Sequence, residues 1–246
     1  MLEDIIWQNK VTSCNCVLKI IIRLFESTER QFYNLLFEFR NTIYFACSSN
    51  EPSSNEISIA FNGGKDCTIV LDIFYKIFKE KYPSEKIITI FITNKGVIFD
   101  EIMEIINFYT QKCNLNLVQI ESDSQKDALF TFKKKFPTVK HILMGNRYTD
   151  PNCSKLTHLS ETSEDWPEYI RVLPILNWNY SDVWTYILQK NIKYCELYNK
   201  GYTSIGLNER DTQINQLLIN KSDSVSSFLA AYRLSNDKFE RNGRKF

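Results

Sequence analysis

The stretch from Ile57 to Leu71, Ile-Ser-Ile-Ala-Phe-Asn-Gly-Gly-Lys-Asp-Cys-Thr-Ile-Val-Leu, limits the fold more than any other part of the chain. Ile57 to Phe61 is an apolar run that reads as a buried strand, and the residues from Lys65 onward repeat at helical spacing. Gly63 and Gly64 stand between the two. Glycine reaches backbone angles closed to other residues, so successive N–H groups can converge where the next helix presents the positive end of its dipole. Lys65 adds a cation on a mobile stem. The combination predicts an anion cradle; the competing reading is an ordinary glycine turn before a helix with an acid in its first turn.

Two better-known phosphate loops are excluded by the spacing. A Walker A loop needs glycine five residues ahead of its Gly-Lys pair and Ser or Thr directly after it, and Ile59 and Asp66 occupy those places. The Gly-x-Gly-x-x-Gly dinucleotide fingerprint is absent as well.

Strand and helix then alternate. Strands are predicted over Ile87–Thr93, Leu115–Ile120, His141–Met144 and Ile170–Leu173. Helices are predicted over Lys65–Lys79, Phe99–Lys112, Ser124–Lys135 and Ser181–Leu188. Near-continuous apolar strands separated by helices imply a parallel sheet covered on both faces, with right-handed crossovers. The expected fold class is therefore α/β, a Rossmann-like doubly wound sheet. Ligands of such sheets sit beyond the carboxyl ends of the strands, which places the glycine loop and the segment Gly145 to Pro151 on one edge. One domain over 1–246 is expected, with a helical N-terminal extension at 1–50, a nucleotide-binding core at 51–190 and an irregular C-terminal segment at 191–246. Within that last segment, Leu217 to Leu229 shows patchy helical periodicity.

Charge and cysteine content narrow the function classes. Thirty basic residues nearly cancel twenty-nine acidic ones, so no global field favours nucleic acid or an anionic membrane, and a small-molecule partner is expected. Cys14, Cys16, Cys47, Cys67, Cys113, Cys153 and Cys195 show no zinc-finger spacing, and two histidines are too few for a metal cluster. The charged Met-Leu-Glu-Asp start and broken apolar runs argue against a signal peptide, transit peptide or membrane span, so the chain is expected in the cytoplasm.

Four further clusters follow the glycine loop: Met144-Gly-Asn-Arg-Tyr-Thr-Asp-Pro151, Arg171-Val-Leu-Pro-Ile-Leu-Asn-Trp178, Tyr194-Cys-Glu-Leu-Tyr-Asn-Lys-Gly-Tyr-Thr-Ser204 and Glu240-Arg-Asn-Gly-Arg244. The loop itself resembles the pyrophosphate loop of the adenine nucleotide α-hydrolase-like families, with Asn62 and Cys67 in flanking serine places. The ordered series over residues 57 to 244 resembles the eukaryotic, fungal-type FAD synthetases (FMN adenylyltransferases), a branch of the phosphoadenylylsulfate reductase-like superfamily. That resemblance implies a nucleotidyltransferase moving AMP from ATP to the 5′-phosphate of FMN, with FAD and pyrophosphate as products and Mg²⁺ required.

The residues can be matched to that chemistry. Transfer of a phosphoryl group is mostly positioning and charge neutralisation, and needs no covalent nucleophile. Asn62, Gly63, Gly64 and Lys65 suit the β and γ phosphates. Asp66 beside a triphosphate is assigned to Mg²⁺, the other reading being a helix-dipole partner. By resemblance Asp150 faces the flavin nucleotide or its metal, Arg147 pairs with phosphate, and Arg241 with Arg244 clamps the flavin and phosphate region, since guanidinium binds phosphate bidentately and stacks on flat rings. Adenine is expected between the ends of the first two strands, against Ala60, Phe61 and Ile92, with Gly145 in the same nucleotide pocket. Trp178 is a candidate flavin partner, and Trp184 is expected to be buried. Tyr148, Asn177 and Lys193 depart from the family pattern. The alternatives are a phosphoadenylylsulfate reductase-like enzyme, whose redox cysteine in a Glu-Cys-Gly-Leu-His context has no counterpart here, and a nucleotide-binding regulator without turnover.

Overall fold

The structure, a computed structural model, describes residues 53–96, 98–207, 210, 212–220 and 227–245. The helical extension expected over 1–50 lies outside the described residues.

The first strand, β1 (Ile57–Ala60), leads through Asn62–Gly64 into α1 (Lys65–Lys81), and the alternation continues through β2 (Ile88–Thr93), α2 (Asp100–Lys112), β3 (Asn116–Glu121), α3 (Gln125–Lys135) and β4 (His141–Leu143). After a long loop come β5 (Leu159–Glu161), β6 (Ile170–Val172) and α4 (Tyr180–Gln189). The six strands form one sheet in the order β3-β2-β1-β4-β6-β5, parallel except for β5, which runs antiparallel to β6. The expected doubly wound sheet is therefore present.

Sheet faces follow from the alternation of side chains along each strand. One face carries Ile88, Ile90, Val118, Ile120 and Ile142 against Ala128 and Phe132 of α3, with Ala60, Ile92 and Met144 at its edge. The other carries Ile59, Phe61 and Phe91, all buried, with Phe61 edge-on to Tyr109 of α2. Both faces being covered, the strands read as apolar runs. On α1 the residues Ile69, Val70, Ile73, Phe74 and Phe78 are buried. Each such side chain contributes about 1.5–3 kcal/mol over its exposed state. Start signals are local: Ser124 accepts from the N–H of Asp127, and Asn179 and Asp182 form a reciprocal capping box at α4.

Two features were not foreseen. The edge strand β5 is too short and polar to show a period, and only its pairing with β6 makes it a strand. Where the stretch Leu217 to Leu229, expected to show patchy helical periodicity, is described, it holds strands: a 3-10 turn at Gln216–Leu218 runs into β7 (Ile219–Asn220), which pairs antiparallel with β8 (Ser227–Phe228). The other described residues of the C-terminal segment include 3-10 turns at Glu196–Lys200, Ala231–Arg233 and Asp237–Gly243.

The functional consequence lies in the strand order. From β1 the chain steps outward to β2 and β3 on one side, then returns to β4 on the other, so the switch point falls between β1 and β4. A doubly wound sheet opens its ligand crevice there, and the loops leaving those two strands are Asn62–Gly64 and Gly145–Pro151.

Candidate active site

Gly63 takes φ +76°, the left-handed region, and a Cβ there would come within 2.8 Å of Ile105 Cγ2. Gly64 is extended instead, at φ −69°, so only one of the two glycines uses the freedom expected of both. The loop closes on itself: the N–H of Gly64 donates to Asn62 Oδ1 at 3.0 Å, and Cys67 Sγ lies 3.0 Å from the same oxygen. The N–H of Lys65 donates to the hydroxyl of Tyr198 at 3.0 Å. A phosphate entering the cradle would exchange with these partners. From the opposite side comes the β4 loop, where Gly145 presses on the start of α1. A Cβ on Gly145 would lie 2.7 Å from the backbone of Asp66 and Cys67, which only glycine permits.

Lys65 is not a mobile cation. Its side chain is 2% exposed, with Nζ 2.5 Å from Glu240 Oε1 and 3.0 Å from Asp66 Oδ2, and it lies over the rings of Tyr180 and Tyr198. Beside it, Arg147 is 1% exposed and meets three carboxylates. Its Nε stands 3.0 Å from Asp66 Oδ1, its Nη2 donates to both oxygens of Glu240 at 2.7 and 2.8 Å, and Asp150 Oδ1 is 3.6 Å away. Asp150 accepts the backbone N–H of Arg147 at 2.9 Å and a hydrogen bond from Arg241 Nη1 at 3.2 Å. The result is one cluster of three cations, Lys65, Arg147 and Arg241, and three carboxylates, Asp66, Asp150 and Glu240.

Burial and pairing set the protonation states. Burial pushes the Asp66 carboxyl up, but Arg147 and Lys65 outweigh it and hold it below the ordinary aspartate value. At Asp150 burial wins over Arg147, and Asp66 and Glu240 add to the upward shift. Burial dominates at Cys67 too, whose thiol is pushed up to about 12, so it is no nucleophile at neutral pH.

Measured against the expected site, the structure brings Asn62, Gly63, Gly64, Lys65, Asp66, Gly145, Arg147, Asp150 and Arg241 together. Ala60 and Ile92 share the face expected for a flat base, and Met144 joins them. Phe61 does not: alternation turns its ring to the opposite face, against Tyr109. Trp178 is corrected as well, because it is 2% exposed and packs on Tyr186, leaving no face for a flavin ring. Trp184 is buried as expected, at the centre of a group formed with Tyr180, Tyr194, Tyr198 and Tyr232. The two C-terminal arginines diverge, Arg241 entering the cluster while Arg244 stands 3.4 Å from the hydroxyl of Thr212. Glu240 and Tyr198 were missed. Glu240 lies in a quoted motif, but a carboxylate that neutralises cations brought from distant segments has no local signature.

The donor set does not form a metal centre by itself. Both oxygens of Asp66 already face cations, and among the described residues no group of three His, Cys, Asp or Glu could hold an ion.

A doubly wound sheet with a glycine loop at its switch point and buried cations behind it defines the class of α/β proteins whose ligand crevice lies at that point. Residues 56–210 match the phosphoadenosine phosphosulfate reductase domain. A probable FAD synthase of Schizosaccharomyces pombe is 34% identical over 208 residues, covering 82% of this chain and 76% of the relative. The chain belongs to the phosphoadenosine phosphosulfate reductase domain family, in its FAD synthase branch. A probable FAD synthase of Caenorhabditis briggsae is 38% identical over 191 residues, 77% of this chain but only 36% of the relative, so this chain spans about a third of that protein. The crystal structure of Candida glabrata FMN adenylyltransferase in complex with FMN and the ATP analog AMPCPP superimposes with TM-score 0.77 at 25% identity, covering 89% of this chain and 93% of that one. Among the described residues no helix is long and apolar enough to cross a membrane.

Proposed function

We propose that this protein is an FMN adenylyltransferase, forming FAD and pyrophosphate from ATP and FMN. The observation that carries the reading is the meeting of the Asn62–Gly64 and Gly145–Pro151 loops at the switch point with Lys65 and Arg147 buried behind them. In this reaction an oxygen of the flavin 5′-phosphate attacks the α-phosphorus, a new P–O bond forms, and the bond to the β-phosphate breaks with its electron pair leaving on pyrophosphate. Asn62, Gly63, Gly64 and the N-terminus of α1 hold the leaving group and stabilise the charge that grows on it. Ala60, Ile92 and Met144 floor the adenine site. Arg241, 32% exposed and tethered to Asp150, meets the flavin phosphate.

The formal charges of the cluster cancel, so the cluster by itself supplies no surplus positive charge for two polyanions. Magnesium, expected from the resemblance, is read as arriving with the triphosphate. Titration calorimetry should detect Mg²⁺ binding with ATP present and none without it, and chelation should stop turnover. A reductase reading is disfavoured by Cys195, 1% exposed with its thiol raised to about 11 by burial. The four described cysteines are free and buried, which supports a reducing cytoplasmic setting.

Chromatography tests the function directly. Protein incubated with ATP, FMN and Mg²⁺ should yield FAD and pyrophosphate; formation of FMN from riboflavin and ATP in its place would overturn the reading.

A further inference from the structure

Glu240 has no role in the reaction as drawn, yet it is buried at the centre of the cluster and touches both buried cations. Its backbone is fixed independently of its side chain. The carbonyl of Glu240 accepts from the Thr203 hydroxyl at 2.6 Å, and the Asn215 side chain donates to Thr203 Oγ1 at 3.0 Å and to the carbonyl of Phe239 at 2.8 Å. Three residues on, Gly243 accepts from the N–H of Gln213 at 2.8 Å, where a Cβ would stand 2.3 Å from the Gln213 carbonyl oxygen. The 3-10 segment Asp237–Gly243 is thus stitched down on both sides of Glu240, and the carboxylate is delivered to a defined place.

What the carboxylate does there follows from its partners. It engages Nη2 of Arg147 with both oxygens and Nζ of Lys65 with one. Asp66 faces Nε of Arg147, while Nη1, on a side chain 1% exposed, makes no hydrogen bond among the described residues. A buried guanidinium N–H without a partner is costly, so this edge is a donor that the cluster leaves open. Resting on the adenylyl-transfer reading above, we infer that Glu240 is a positioning residue: it clamps Lys65 and Arg147 so that the Nη1 edge of Arg147 stays aligned for a phosphate oxygen. The adjoining Arg241 is set by the same clamp, through Asp150.

On charge alone the opposite role would have Glu240 standing in for phosphate and yielding to it. The two roles differ in sign. If Glu240 positions Arg147, Glu240→Gln keeps the shape, loses the charge that locks the guanidinium, and lowers kcat about 100-fold while KM for ATP and FMN changes by less than about threefold. Glu240→Asp, which keeps the charge at shorter reach, should recover about tenfold of that loss. In an Arg147→Lys background, Glu240→Gln should cost less than about threefold further, because the group it acts through is gone. Thermal melts on each variant separate folding from turnover, and a variant that fails to fold is replaced by Glu240→Asp in the same comparison. A Glu240→Gln enzyme with unchanged kcat, or with tighter ATP binding and faster turnover, overturns the positioning role, as does full additivity with Arg147→Lys. A wild-type protein that makes no FAD takes the functional reading down as well; an active wild type with an unaffected Glu240→Gln variant takes down this inference alone.

Discussion

The two halves of the charge cluster are built by different means. Lys65 and Asp66 sit in the first turn of α1, a 17-residue helix that buries a full apolar face, so their positions come with a regular element. Glu240 and Arg241 sit in a 3-10 segment without an extended apolar face, held by hydrogen bonds from Thr203, Asn215 and Gln213. One half is placed by hydrophobic packing and the other by polar stitching. A cluster assembled this way is sensitive on its buried side and tolerant on its open side, and substitutions can test that contrast.

The largest effect is expected at the hinge between the halves. Arg147→Ala leaves Asp66 and Glu240 with Lys65 as the one cation they still share, and loss of one partner in such a buried group costs about 3–5 kcal/mol. Urea unfolding should show it, and a cost under 1 kcal/mol would mean that the cluster is looser than its geometry.

Gly63→Ala comes next, since it forces a non-glycine residue to φ +76° and drives a methyl into Ile105, for about 2 kcal/mol or more. Gly64→Ala, extended and with its Cβ meeting Asn62 Oδ1 at 3.1 Å and the Tyr198 hydroxyl at 3.9 Å, should cost about 1 kcal/mol or less by the same measurement. Equal costs at the two glycines would refute the loop conformation.

Acid titration separates the two aspartates. Asp66 has a depressed folded pKa, so its contribution is present above the ordinary value of 3.8 and is lost as pH falls through the lower folded value. Asp150 has a raised folded pKa, so its ionisation erodes stability as pH climbs from 3.8 upward. Asp150→Asn should therefore flatten the stability profile just above 3.8, and Asp66→Asn should flatten it below. Both are read from unfolding midpoints against pH.

On the open side, Arg241→Ala should change stability by under about 1 kcal/mol, because a third of its side chain is exposed, while lowering FAD formation about tenfold or more. Smallest of all is Cys67→Ser, which keeps a donor toward Asn62 Oδ1 and the carbonyl of Gly64, and should leave turnover within about threefold.

Much of this architecture was legible without coordinates, and for a specific reason. β1, α1, β2, α2 and the loops that end their strands carry local signals: apolar runs, helical spacing, and glycines where the chain turns. The edge strand β5 and the β7–β8 pair carry none, because strands this short are defined by their partners. The errors at Phe61 and Trp178 share one cause. Residue type suggested a ring available to a ligand, whereas the alternation of β1 and the burial beneath α4 gave each ring to the core.

The sequence by itself determined the α/β alternation, the glycine turn after β1 and the family to which they belong, since each is written in contiguous residues and their spacing. Only the tertiary structure decided that Lys65 is locked, that Arg244 stands apart from Arg241, and that Glu240 joins the glycine loop to the C-terminal segment. Those outcomes depend on charges far apart along the chain sharing one desolvated space, where each buried ion must find an opposite partner, and spacing along a sequence does not encode which partner that will be.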